Sequence, residues 1–136
     1  MFAWAGTQQQ PGGLYRIRYT GNPVHLPVGL NASEKKIKIK FSGSVDPQSV
    51  TDPDNFAINT WDLKRTAKYG SKHYNPKRLK VANSILLSDN QTVELTIPDL
   101  APTWGMEINY AVKTKAGKEL KGKIHNSIYN LPEGNK

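Results

Sequence analysis

The stretch between residues 62 and 78, DLKRTAKYGSKHYNPKR, holds the side chains best suited to bind a ligand. The segment contains six lysines and arginines but only one acidic residue, Asp62. Aromatic residues are interleaved with the basic ones. Flat rings beside positive charges suit the faces of sugar rings, or phosphate backbones with stacked bases. The candidate ligand-binding residues are Trp61, Lys64, Arg65, Tyr69, His73, Tyr74 and Arg78. A solvated loop, held on the domain by its rings while the lysine heads stay in water, explains the same composition.

The motifs of catalysis are missing from the sequence. It contains no GxSxG nucleophile elbow and no glycine-rich phosphate loop. The absence of cysteine excludes disulfides, thiolate metal sites and a cysteine nucleophile. We therefore expect a protein that is not an enzyme and that carries no cofactor.

A metal centre has equally little support in the sequence. The histidines His25, His73 and His125 have no second histidine or carboxylate at metal-ligand spacing. Three aspartates, at positions 46, 52 and 54, leave a calcium site open, although they lack the spacing of an EF-hand loop. We expect no metal site.

The formal net charge of +8 permits an anionic partner such as nucleic acid, an acidic polysaccharide or a membrane surface, and it also favours solubility. No nucleic-acid-binding motif accompanies the charge, so nucleic acid ranks below polysaccharide. The lysines at positions 36, 38 and 40 alternate along one strand and indicate a solvent face. No run approaches the roughly 18 apolar residues of a membrane helix. The N-terminus is not a signal peptide, which leaves a cytosolic protein or a piece of a longer exported chain.

Apolar and polar residues alternate with a period of two along most of the chain, which is typical of strands with one buried face. In the segment Lys35–Phe41, for example, isoleucines and Phe41 alternate with lysines. Pro27 marks an edge strand, and Asp46-Pro47 predicts the start of one helical turn. The predicted strands are Leu14–Tyr19, Val24–Leu30, Lys35–Phe41, Asn55–Trp61, Leu79–Leu87, Thr92–Ile97, Gly105–Thr114 and Glu119–Tyr129. This pattern predicts an all-β, immunoglobulin-like β-sandwich of about seven strands, with an extra N-terminal strand.

The run IKIKFSGSVDPQSVTDPDNFAINTW resembles immunoglobulin-like modules appended to large bacterial exported proteins. More specifically, the chain resembles the C-terminal region of multidomain proteins from planctomycete-like and related bacteria. Those proteins carry a sugar-dehydrogenase-like β-propeller, of the sorbosone or glucose dehydrogenase type, and often a haem-binding or cytochrome c segment. The matching motifs are Gly13–Gly21, Trp61-Asp62, Tyr69-Gly70-Ser71 and Ile128–Pro132.

The resemblance implies three segments. Residues 1–22 would form a loop and a strand that end a preceding propeller, residues 23–131 the sandwich, and residues 132–136 a frayed tail. It further implies a periplasmic or secreted parent, with a propeller of the same chain as the partner of this module. No catalytic, quinone or haem residue of that family maps onto this sequence. We therefore expect a non-catalytic accessory module, with a carbohydrate-binding module that uses the loop at residues 61–78 as the alternative.

Overall fold

A computed structural model describes residues 14–133 and shows two packed antiparallel β-sheets. In chain order, the strands are β1 (Pro27–Ser33), β2 (Lys36–Phe41), β3 (Phe56–Asp62), β4 (Tyr74–Leu79), β5 (Asn83–Leu86), β6 (Thr92–Thr96), β7 (Thr103–Lys113) and β8 (Glu119–Ile128). A single helical turn, α1 (Pro47–Val50), and a 3₁₀ turn (Pro53–Asn55) connect β2 to β3. The predicted all-β sandwich is confirmed.

The strand order is β1-β2-β6-β5 in one sheet and β4-β3-β7-β8 in the other. Lettered in chain order as A, B, C, C′, D, E, F and G, these sheets read A-B-E-D and C′-C-F-G. Immunoglobulin-like sandwiches have the same order. Strands β2 and β3 are each flanked by two neighbours within their own sheets.

The core lies between the inner faces of the two sheets. The alternation in β2 buries Ile37, Ile39 and Phe41 completely while the intervening lysines stay exposed. The ring of Phe41 meets that of Tyr110 on β7 edge to face, with centroids 5.5 Å apart. The other core strands bury their predicted apolar faces in the same way, at Phe56, Ile58, Val93, Leu95, Met106, Ile108 and Val112.

The predicted helical turn is present and capped. Asp46 has extended backbone angles, and its Oδ2 accepts a hydrogen bond from the Ser49 backbone N–H at 3.0 Å. Pro47 occupies the first helical turn, where no backbone donor is needed. The turn brings Val50 into the core, so the cap positions an element that packs on both sheets.

The first two predicted strands differ from the structure. Leu14–Tyr19 does not form a strand and is exposed throughout its length. Its alternation is that of a strand, but neither sheet of the sandwich pairs with it. The first edge strand begins at Pro27, because Val24 and Leu26 are held instead by the Ser42 hydroxyl.

The loop predicted for residues 62–78 is shorter in the structure, because β4 occupies its C-terminal part. This strand buries only Leu79 and contains Pro76, so its sequence lacks the alternation that marks the other strands. Proline is tolerated there because β4 lies at the edge of its sheet. The segment predicted as one strand over Leu79–Leu87 is correspondingly divided between the end of β4 and β5.

The two ends of the chain fall largely outside this description. Residues 1–13 and 134–136, which include much of the predicted N-terminal segment and of the tail predicted to fray, lie outside the described residues. The first residue of that tail, Pro132, accepts a hydrogen bond from the Glu34 backbone N–H at 3.0 Å. The division at residues 22 and 131 stays a prediction.

Candidate functional site

Four polar side chains form a line across the outer face of the β4-β3-β7-β8 sheet. The strand register pairs Arg78 with Asn59, Asn59 with Glu107, and Glu107 with His125. Each of the four therefore comes from a different strand, at neighbouring positions in the register. We call these four residues the polar row.

The polar row faces outward because its members alternate with core residues. Asn59 lies between the buried residues Ile58 and Thr60, and Glu107 lies between the buried residues Met106 and Ile108. Successive side chains of a strand point to opposite faces, so burial of these neighbours directs Asn59 and Glu107 away from the core. The burial pattern of β3 and β7 therefore determines that the polar row lies on the outer face of the sheet.

Glu107 is the acid of the row, and its two carboxylate oxygens are already hydrogen-bonded. Asn109 donates its side-chain N–H to Oε1 at 2.8 Å, while Lys123 and His125 donate to Oε2 at 3.2 and 3.1 Å. These donors, Asn109 foremost and then Lys123, lower the pKa of Glu107 from 4.5 to about 2. The carboxylate therefore stays charged at neutral pH, and its charge is compensated by its own neighbours.

An aromatic stack lies beside the polar row. The imidazole of His73 is parallel to the indole of Trp61, with centroids 4.0 Å apart and an interplanar angle of 13°. Trp61 pairs with Gly105 of β7 in the register, and a Cβ at Gly105 would fall on the indole. Gly105 therefore lets the indole lie against the sheet, and the exposed His73 covers it from the other side.

The stack and the polar row border one shallow depression of about 540 Å³. Its lining includes Trp61, His73, Lys77, Arg78, Glu107 and His125. Of the residues predicted to bind a ligand, the structure therefore brings together Trp61, His73 and Arg78. It adds Asn59, Glu107 and His125, which sequence reasoning missed as a group.

The other predicted residues lie around the loop that follows β3. Lys64, Arg65 and Tyr69 border a separate depression of about 750 Å³ that also includes Trp104. The Lys64 ammonium stands 4.5 Å from the ring centroid of Tyr74, within the range of a cation–π contact. Tyr69 is fully exposed. The predicted set is thus split between two places rather than gathered into one site.

Asp46, Asp52 and two of the lysines of β2 have partners within the fold. Asp46 caps α1, and Asp52 accepts a hydrogen bond from the Asp54 backbone N–H at 3.0 Å. Within residues 14–133, no group of three histidine or acidic residues is arranged to hold a metal ion. On β2, Lys36 and Lys38 lie 2.7 and 3.5 Å from the carboxylate of Glu94, so the lysine stripe is partly neutralised.

Among residues 14–133, no helix is long and apolar enough to cross a membrane.

Comparisons with known proteins identify no related family but do identify a protein of similar structure. No protein-family model matches the sequence, and no curated protein matches it. Among solved structures, the chain is similar to the crystal structure of CopC from Methylosinus trichosporium OB3b, with a TM-score of 0.44 and 18% sequence identity. The similarity covers 83% of this chain and 99% of that one. Similarity of this degree gives no basis for transferring a ligand or a function.

Proposed function

We propose that this protein is a non-catalytic accessory β-sandwich of a larger exported bacterial protein, placed directly after another β-rich domain. The observation that carries the proposal is the segment Leu14–Tyr19. It has the alternating sequence of a strand, yet it lies outside both sheets. The exposed fractions of its large apolar side chains are 103% for Leu14, 85% for Tyr15, 96% for Ile17 and 89% for Tyr19.

The exposed apolar side chains of Leu14–Tyr19 would be stabilised by a partner that covers them. Burying one large apolar side chain stabilises a protein by about 1.5–3 kcal/mol, so a run of such side chains in water forgoes several kcal/mol. A strand also needs a neighbour for its backbone hydrogen bonds. A sheet of a preceding domain would cover the apolar side chains and supply the backbone hydrogen bonds. The resemblance to the end of a propeller implies that this domain is a β-propeller. A periplasmic or secreted location belongs to the same proposal.

The chain just after this segment is fixed to the sandwich. Ser42 donates its hydroxyl to the Val24 carbonyl at 2.6 Å and accepts from the Leu26 backbone N–H at 3.0 Å. The Ser42 backbone N–H also donates to the Leu26 carbonyl at 2.8 Å. The anchored part therefore ends near Val24, and the unpaired segment precedes it, as expected of a strand that belongs to a neighbouring domain.

Hydrogen exchange tests the proposal. In the 136-residue protein, amides 14–19 should exchange without protection, while amides of β2 and β7 are protected. In the polypeptide isolated from its native source, amides 14–19 should become protected by the adjoining sheet. Protection of amides 14–19 in the 136-residue protein at concentrations where it is a monomer would show pairing with its own sandwich and would refute the proposal. Equal exchange in both samples would refute it as well.

Carbohydrate binding is the second candidate function, and the depression beside the polar row favours it. That depression combines aromatic rings with several hydrogen-bonding side chains, the combination that recognises a ring with an apolar face and polar edges. Both faces of Trp61 are covered, so a sugar would meet the outer face of His73 and the edge of the indole.

Tryptophan fluorescence during titration with soluble polysaccharides tests this candidate. We expect a saturable change that persists in Trp104→Ala, whose ring borders the other depression, and is lost in Trp61→Ala. A change that depends on Trp104 instead would move the site to the loop after β3. No response to any polysaccharide would remove the candidate.

A further inference from the structure

The lining of the depression beside the polar row includes a cationic side chain, Arg78. Arg78 faces outward in the polar row and brings a positive charge to this lining. None of the ion pairs formed among residues 14–133 includes Arg78. The side-chain N–H₂ group of Asn59 adds further donors.

The one acid in the lining does not offset this charge. Glu107 accepts hydrogen bonds from Asn109, Lys123 and His125, all within the sheet. Lys123, 3.2 Å away, compensates its charge. The charge that stays uncompensated in the depression, and that a ligand would meet, is therefore the positive charge of Arg78 on the β4 side.

We propose that this depression binds a carboxylate group of an acidic polysaccharide, such as a uronate unit, with Arg78 as the main contact. The proposal rests on the carbohydrate-binding candidate above and names the class of sugar. A guanidinium presents paired donors that match the two oxygens of a carboxylate, and such charge-assisted bonds are about twice as strong as neutral ones. The exposed face of His73 lies in the same lining and offers a flat surface to the sugar ring.

The shape and charge of the surface favour this occupant over a neutral sugar. A neutral sugar would leave the charge of Arg78 without a counter-charge, because Glu107 already has Lys123 as its partner. A guanidinium facing neutral hydroxyls gains less than the same guanidinium facing an anion. The depression is open and crosses four strands, which suits an extended chain.

Calorimetric titration with polygalacturonate tests the proposal, with fully methyl-esterified polygalacturonate and dextran as neutral polymers. Binding should be strongest for polygalacturonate and should weaken as salt is raised. Arg78→Ala should weaken it about tenfold or more, the effect of losing one charge-assisted hydrogen bond.

Lys40→Ala is the matched control. It lowers the net charge by the same amount from the outer face of the other sheet, so it should change affinity by less than about twofold. Circular dichroism of both variants shows whether each retains the sandwich.

The outcomes separate this inference from the function on which it rests. Equal affinity for the ester and the acid would overturn the inference and leave carbohydrate binding standing. No binding of any polysaccharide would overturn both. Equal losses in Arg78→Ala and Lys40→Ala, or equally tight binding of duplex DNA, would show unspecific attraction of polyanions and would also overturn the inference.

Discussion

Replacement of Gly105 by alanine should destabilise the protein through the Trp61 indole. Gly105 lies on β7 opposite Trp61, and a Cβ there would come within 2.9 Å of the indole Cδ1, with two more indole atoms closer still. The indole cannot move outward freely, because His73 is stacked on its other face at 4.0 Å. One added methyl group must therefore disturb the whole stack.

The expected magnitude follows from two opposing effects. Overpacking of this kind costs about 1–3 kcal/mol. Gly105 does not have a positive φ, so alanine recovers about 0.4–1 kcal/mol by restricting the unfolded chain. The net loss in the free energy of unfolding should lie between about 0 and 2.6 kcal/mol, and is about 1.3 kcal/mol at the middle of both ranges. Gly29 on β1 is the matched control, since a Cβ there lies 3.5 Å from the Lys40 Cβ, at ordinary contact distance.

Urea unfolding of four variants decides the matter. Gly29→Ala should match or slightly exceed the wild-type stability, and Gly105→Ala should fall below it. In a Trp61→Ala background, the Gly105→Ala change should cost nothing or stabilise, because the clashing ring is gone. An equal cost of Gly105→Ala in both backgrounds would refute the reasoning and place the strain in the backbone of β7.

Two further predictions concern acidic side chains. Because folding lowers the pKa of Glu107 from 4.5 to about 2, the unfolded chain takes up this proton first as pH falls. Its contribution to stability should therefore be complete above pH 4.5 and be lost toward pH 2, so the urea midpoint of Glu107→Gln should depend less on pH in that window than that of the wild type. A parallel pH dependence in both proteins would contradict the assigned hydrogen bonds. Asp46→Ala should lower the free energy of unfolding by about 1 kcal/mol through loss of the cap of α1, and Asp46→Asn should retain most of it. Equal losses in thermal unfolding of these two variants would show that the acceptor oxygen is not what stabilises the turn.

The sequence contains most of the information for the core strands, because their burial is periodic. In β2, and in β7 from Met106 to Val112, every second residue is apolar and buried, so alternation alone identifies both the strand and its inner face. The edges are different. Strand β4 buries a single residue, and its pairing with β3 comes from backbone hydrogen bonds that leave no apolar pattern.

The candidate site was predictable only in part, for a related reason. Trp61, His73 and Arg78 stand out in the sequence because aromatic and cationic residues are concentrated around them. Glu107 and His125 lie far along the chain and join them only through the register of β3, β7 and β8. A strand register depends on pairings between distant segments, which a single sequence does not display. The split between the polar row and the loop of Lys64 has the same origin.

The anchoring of Val24 by Ser42 would set the length of the tether to the neighbouring domain that we propose. Only residues 20–23 separate the anchored chain from Leu14–Tyr19, and they reach at most about 14 Å when fully extended. A domain that takes up Leu14–Tyr19 as a strand is therefore held almost against the sandwich. The sandwich could then move only within a small volume around that domain. A ligand bound in its depression would therefore be at a local concentration of roughly millimolar order relative to that neighbour.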